Sequence, residues 1–205
     1  MTANATVAPL GTPEELRGAV RARYSSVARE PRGEYNFRVG RNFAEALGYS
    51  AGLLDELPES LPEAFTGVAC PSLIAAVQSG QTVVDLGSGG GLDLVILARK
   101  VGSDGHAIGI DFAPEMVDRA RRNLAALNLH QAEVREASAE ETGLPDAMAD
   151  WVVINALLNL APDKNEVLRE IARILKPGGR LILAETTLRA ALPANMLKTI
   201  DDWFR

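Results

Sequence analysis

Residues 83–93 read VVDLGSGGGLD, with Gly87, Ser88, Gly89, Gly90 and Gly91 running consecutively between an apolar stretch and a second one, and with Asp85 and Asp93 on either side. Backbone this bare turns sharply from strand to helix and lets a ligand approach closely. Three nucleotide classes compete for such a loop. A phosphate-binding P-loop needs GxxxxGK[ST], and the chain has no Gly-Lys-Ser or Gly-Lys-Thr. A dinucleotide loop needs GxGxxG, but the register from Gly87 ends on Leu92 and that from Gly89 ends on Leu94. Asp85 argues further against a nicotinamide dinucleotide. A carboxylate at the strand end repels a pyrophosphate resting on the following helix N-terminus, so the expected ligand is cationic.

A second acidic residue about 20 positions on, at the end of the next strand, is what binding of both ribose hydroxyls requires. Asp111, in HAIGIDFAPEM, stands 20 residues after Gly91 and closes an apolar run. Its alternative is a plain cap for a helix opening at Pro114. Cys70 is the only cysteine, so no intrachain disulfide is possible, which suits a cytoplasmic location. His106 and His130 have no ligand-spaced partner, and no metal site is expected.

The elements that position these residues follow from periodicity. Strand-like runs at 82–86, 106–110, 132–135, 151–155 and 181–184 alternate with helix patterns near 93–101, 114–127 and 163–175. That alternation predicts an α/β fold, a parallel sheet with helices on both faces. Asp163 with Glu166 caps the third helix and the Lys176-Pro177-Gly178-Gly179 run stops it. Residues 1–80 form a helical N-terminal cap, and 81–205 form the ligand-binding α/β domain. Within the cap, Thr12-Pro13-Glu14-Glu15 starts a helix whose apolar face carries Leu16, Val20, Tyr24 and Val27. Shorter helices fit near 41–48 and 71–78, with Pro58 and Pro62 breaking the chain between them.

The chain has 205 residues, 47% hydrophobic and 23% charged, in the range of a globular domain. No apolar run approaches the roughly 18 residues of a spanning helix, and 1–16 has neither the basic start nor the apolar core of a secretory signal. A net charge of −6 disfavours nucleic acid and anionic membranes as partners. Arg119, Arg121 and Arg122 cluster, but on an amphipathic helix they are expected to form a solvated face.

The pattern D-x-G-x-G-x-G, at Asp85, Gly87, Gly89 and Gly91, resembles the first motif of class I S-adenosylmethionine methyltransferases. Over nearly its whole length the chain resembles the arsenite methyltransferase branch of that class. The resemblance rests on YSSVA at Tyr24, LGYS at Leu47, GVACPS at Gly67, VVDLGSGGGLD, IGIDFAPEMVDRAR, NALLNLAPDKNEVLREIARILKPGGRL, and the pair Ala184-Glu185. It implies a Rossmann-like sheet and S-adenosylmethionine as cofactor. Asp85, Gly87, Ser88, Gly89 and Asp111 would hold the methionine and ribose parts, Phe112 and Met116 would approach the adenine, and Ser138 and Ala139 would meet its edge. Asn155 would face the methionine moiety, and Tyr24 would cover the cofactor. Phe112, Met116 and Tyr24 fit an apolar core equally well.

The resemblance also implies an acceptor site of three thiolates, soft ligands for trivalent arsenic. Cys70 matches one of these positions and is the candidate catalytic residue. Ala156 stands where the family has cysteine, and the N-terminal helical region has none. The remaining family position would fall at or just past Arg205. A single thiolate cannot supply the trigonal sulfur site, so the expected acceptor is a small soft, carbon, nitrogen or oxygen nucleophile. Transfer of a sulfonium methyl rests on positioning and exclusion of water, which fits the lack of an acid–base pair. The alternatives are a non-catalytic S-adenosylmethionine-binding protein or a fragment of a longer methyltransferase. After Glu185 the sequence shows one amphipathic helix, with Met196, Ile200 and Phe204 on a face, in place of the family's last two strands. The fifth strand would then be an open edge, covered by that helix or by a second copy in a homodimer.

Overall fold

The computed structural model describes residues 11–187, and the expected helix carrying Met196, Ile200 and Phe204 lies outside them. Five helices come first: α1 (Pro13–Arg29), α2 (Arg41–Ala46), α3 (Ala51–Asp55), α4 (Ser60–Glu63) and α5 (Pro71–Ile74). Then β1 (Thr82–Leu86), α6 (Leu92–Val101), β2 (His106–Asp111), α7 (Pro114–Ala126), β3 (Ala132–Glu136), β4 (Ala149–Asn155), α8 (Lys164–Ile174) and β5 (Leu175–Ala184) alternate. The strands form one sheet in the order β3-β2-β1-β4-β5, with every described pairing parallel. The reversal of strand order falls between β1 and β4, so β1 and its glycine loop lie at the switch point where open α/β sheets bind ligands.

Alternate residues of the strands feed two apolar layers, as a parallel sheet covered on both faces requires. Val83, Ala107, Trp151 and Val153 join α6, α7 and the N-terminal helices on one side. Val84, Leu86, Ile108, Ile110, Val152 and Ile154 join Val167, Ile171 and Ile174 of α8 on the other. Tyr49, Leu54, Leu61 and Phe65 belong to the first layer, so the N-terminal helices share a core with the sheet. Lys100 of α6 ties them further. Its ammonium donates to the carbonyls of Ser72, Leu73 and Ala75 at 2.6, 3.1 and 2.8 Å, satisfying the C-terminal end of α5.

The helix starts follow their caps. At α1 the Thr12 side chain accepts from Glu15 N–H while the Glu15 carboxylate accepts from Thr12 N–H, the expected reciprocal capping box. At α8 the Asp163 carboxylate accepts from the N–H groups of Asn165 and Glu166. Three expectations need correction. Pro62 does not break the chain but sits in the first turn of α4, where a helix has no use for its missing N–H. Helix α5 stops at Ile74 rather than 78, because Ala75 turns to extended backbone (ψ 122°). Leu175 opens β5 rather than closing α8. The Lys176–Gly179 run is absorbed as an irregularity in the β4–β5 pairing, between Leu175 opposite Ala149 and Arg180 opposite Trp151.

Among the described residues β5 has a strand partner on one side only, and Leu181 and Leu183 are 38% and 42% exposed there. No helix of the described residues is long and apolar enough to cross a membrane.

Candidate functional site

Two adjoining cavities open at the carboxyl end of β1, β2 and β4, and Thr66, Gly87, Gly89 and Asn155 line both. The loop between them is built on positive φ at Gly87 (81°), Gly89 (51°) and Gly91 (94°), a region other residues rarely adopt. Gly87 also has no room for a side chain, since a Cβ there would come within 2.6 Å of Leu157 Cδ1. A Cβ on Gly89 would meet nothing within 4 Å, so its open side faces the ligand space. The loop is pinned from β2. Gly87 and Ser88 N–H groups both donate to the Ile110 carbonyl, at 2.8 and 3.0 Å.

The inner cavity contains Asp85, Ser88 and Asp93, all under 9% exposed. Asp85 Oδ2 and Ser88 Oγ are buried without a hydrogen-bond partner, the arrangement of a polar surface shaped for a ligand. None of the residues lining this cavity is basic. Burial, with the nearby Asp93 and Asp111 charges, pushes the Asp85 carboxyl well above the ordinary aspartate range. Burial also raises Asp93, but hydrogen bonds from Asn155, Ser72 and Tyr49 oppose that shift.

The outer cavity is bounded by the half-buried Asp111. One of its oxygens accepts from Gly89 N–H at 2.8 Å and the other from Ala113 N–H at 2.9 Å. The cap reading of Asp111 does not hold, because α7 has Ala113 at its N-cap and no side-chain cap; Asp111 instead steadies the turn before the helix through Ala113 N–H and lines the cavity at the glycine loop. Burial raises its carboxyl, and the backbone donors of Ala113, Gly89 and Phe112 pull it down. Tyr24 from α1 faces it across the cavity, its hydroxyl shifted up by burial and by the charges of Asp111 and Glu185. The Arg17–Glu140 ion pair, at 3.1 Å, closes the rim between α1 and the segment after β3.

A chain with these features has recognisable relatives. The pattern of the family described as Methyltransferase domain matches residues 77–205. The chain belongs to that family. It is 34% identical over 209 residues to the arsenite methyltransferase of Halobacterium salinarum, covering 94% of this chain and 53% of that protein. It is 36% identical over 111 residues to the demethylmenaquinone methyltransferase of Listeria monocytogenes, covering 54% and 47%. Among solved structures it resembles the arsenic(III) S-adenosylmethionine methyltransferase of Chlamydomonas reinhardtii, at 32% identity and a TM-score of 0.60 over 64% of this chain and 46% of that one. The chain spans about half the length of the curated relatives it matches.

Most of the residues that the methyltransferase resemblance pointed to converge on this site. Tyr24, Gly87, Gly89, Asp111, Phe112, Ser138, Ala139 and Asn155 line the outer cavity, and Asp85 and Ser88 line the inner one. Met116 does not line either. It is fully buried with Val27, Ala28, Ala64 and Ala113 between α1 and α7, the core placement its helical face allows. Cys70 is half-buried at the start of α5 and packs on the apolar layer next to Gly48, outside both cavity linings. Asn155 lines both cavities, but its amide is committed to protein partners, the backbone of Val68 and Ala69 and the Asp93 carboxylate.

Arg119 overturns the solvated-face expectation. It is 8% exposed, and its guanidinium donates to the carbonyls of Ala28 and Ser60 and to Glu63, tying α7 to α1 and α4. Glu185 carries more than its resemblance indicated, since its carboxylate accepts from Leu158 N–H and shapes the turn after β4. Asp93, Tyr49 and Ser72 were missed as a group. The available signal was Asp93 itself, an acidic residue inside the otherwise apolar run LDLVILA.

Proposed function

We propose that the chain is an S-adenosylmethionine-dependent methyltransferase acting on a small-molecule acceptor. The observation that carries this reading is the unpartnered Asp85 oxygen, buried beside the glycine loop in a cavity without basic lining. An ammonium or sulfonium supplies the missing partner, whereas a diphosphate meets only repulsion there. Asp85, Ser88, Gly87 and Gly89 would hold the methionine end, Asp111 the ribose hydroxyls, and Phe112, Ser138 and Ala139 the adenine, under Tyr24. When bound, the cofactor supplies an electrophilic methyl group on its sulfonium. The chain's residues bind, orient and exclude water, tasks that need no acid–base pair.

The acceptor reading is limited by the sulfur count. Ala156 lines the outer cavity where the resembled family carries a cysteine, and Cys70 lines neither cavity. Trivalent arsenic is therefore not the favoured acceptor, and a small nucleophile that needs no thiolate cage is. The alanine at 156 and the placement of Cys70 also support the second reading, a cofactor-binding protein without turnover. The single cysteine supports a cytoplasmic setting, and the exposed Leu181 and Leu183 on the β5 edge support a homodimer.

The test is a panel of small acceptors, including arsenite with a thiol, incubated with S-adenosylmethionine while S-adenosylhomocysteine is measured. Release above the acceptor-free blank with a non-arsenic acceptor is expected. Binding of the cofactor with no release for any acceptor would favour the non-catalytic reading.

A further inference from the structure

We propose that Asp93 is a positioning residue for the cofactor site, acting through Asn155 to hold the Thr66–Ala69 backbone as the wall opposite the glycine loop; the inference rests on the cofactor reading above. Asp93 lies in the first turn of α6 yet points away from solvent, 6% exposed. Its Oδ1 accepts from the hydroxyls of Tyr49, at 2.6 Å, and Ser72. Its Oδ2 accepts from the Asn155 side-chain amide at 2.9 Å. Asn155 in turn accepts at Oδ1 from Val68 N–H at 2.8 Å and Ala69 N–H at 3.2 Å, and donates from Nδ2 to the Ala69 carbonyl at 2.8 Å.

The direction of every bond in this chain is set by the carboxylate. Asp93 can only accept when ionised, so Asn155 must turn its NH2 toward it, which leaves Oδ1 for the two backbone amides. The fit is close. A Cβ on Gly67 would sit 2.6 Å from Asn155 Cγ, so residue 67 is glycine because the latched side chain fills the space. Thr66 and Gly67, held this way, complete the inner cavity together with Asp85 and Gly89. The tyrosine and serine come from outside the sheet, so one buried carboxylate gathers the α2–α3 turn, α5, α6 and the end of β4.

Asp93→Asn keeps the shape but leaves one accepting oxygen where the carboxylate has two, so residue 93 can no longer accept from both Asn155 and the Tyr49 and Ser72 hydroxyls at once. Binding of S-adenosylhomocysteine is measured by calorimetry and amide exchange by mass spectrometry or NMR. The expected result for Asp93→Asn is about 5- to 20-fold weaker binding, the scale of one to two hydrogen bonds. Exchange at Val68 and Ala69 is expected to speed up while the amides of β1 and β4 keep their protection. Tyr49→Phe, which removes one hydroxyl from the same carboxylate, is expected to show both effects at about 2- to 4-fold, and it serves if Asp93→Asn does not fold. A role in stability alone would lower protection everywhere without singling out Val68 and Ala69. Wild-type protein that binds no S-adenosylhomocysteine overturns the cofactor reading. Wild-type protein that binds it, with the folded variant within twofold of that affinity, overturns the positioning role by itself.

Discussion

Asp85 and Asp111 look alike in sequence but differ in how the fold satisfies them. Backbone donors meet both oxygens of Asp111, Gly89 N–H on one and Ala113 N–H on the other, whereas one oxygen of Asp85 is buried with none. Asp111→Ala is expected to weaken S-adenosylmethionine binding by about 2–4 kcal/mol, two charge-assisted hydrogen bonds of about 1.5–3 kcal/mol each less partial compensation by water, as read by calorimetry. A loss below about 0.5 kcal/mol, within the noise of surface substitutions, contradicts the ribose assignment. Asp85→Asn is expected to trade function for stability. Removing an uncompensated buried charge stabilises the ligand-free protein by about 1–3 kcal/mol, while cofactor affinity falls at least tenfold. A variant that melts earlier than wild type at neutral pH contradicts that account. Cys70→Ser, outside both cavities, is expected to leave cofactor affinity within about twofold.

At the scale of elements, what was legible depended on how local the cause was. The α1 capping box, the Asp163 cap and the β1–loop–α6 unit are written in consecutive residues, and the structure shows each of them. Pro62 and the Lys176–Gly179 run misled because their roles depend on position: a proline in a first turn is harmless, and a proline with two glycines fits an irregular strand pairing. The Asp93 cluster could not be paired from sequence, since its partners Tyr49, Ser72 and Asn155 are 44, 21 and 62 residues away. Arg119 failed for the same reason, with its carbonyl partners at Ala28 and Ser60 supplied by the cap. Helix α1 carries Tyr24 to the cavity wall. Thr12→Ala removes the reciprocal cap and is expected to cost about 1 kcal/mol, measured by chemical denaturation. No change would mean that tertiary packing alone sets the start of α1.

Across the whole molecule the buried carboxylates set the response to pH. Asp85, Asp93 and Asp111 have folded-state pKa values raised above the ordinary 3.8, chiefly by burial. Their contribution is fully present below that unfolded value and is lost as pH rises through the raised folded values. Glu170 works in the other direction. Its bonds to Arg173 and Thr142 hold its carboxyl down at about 2, so its contribution is present above the ordinary 4.5 and is lost as pH falls through about 2. Thermal melts of the ligand-free protein are therefore expected to peak on the mildly acidic side of neutral. If the ammonium of S-adenosylhomocysteine pairs with Asp85 as proposed, excess ligand is expected to raise the melting temperature most at neutral and higher pH. A ligand-induced shift that is greatest at low pH contradicts this linkage.

The most direct measurement of the central claim is a calorimetric titration of the full chain with S-adenosylmethionine, S-adenosylhomocysteine and NAD under one buffer condition. The account predicts saturable one-site binding of both adenosyl sulfur compounds and no heat of binding with NAD. Saturable binding of NAD with neither sulfur compound bound would contradict it, because a diphosphate would then occupy the loop beside Asp85.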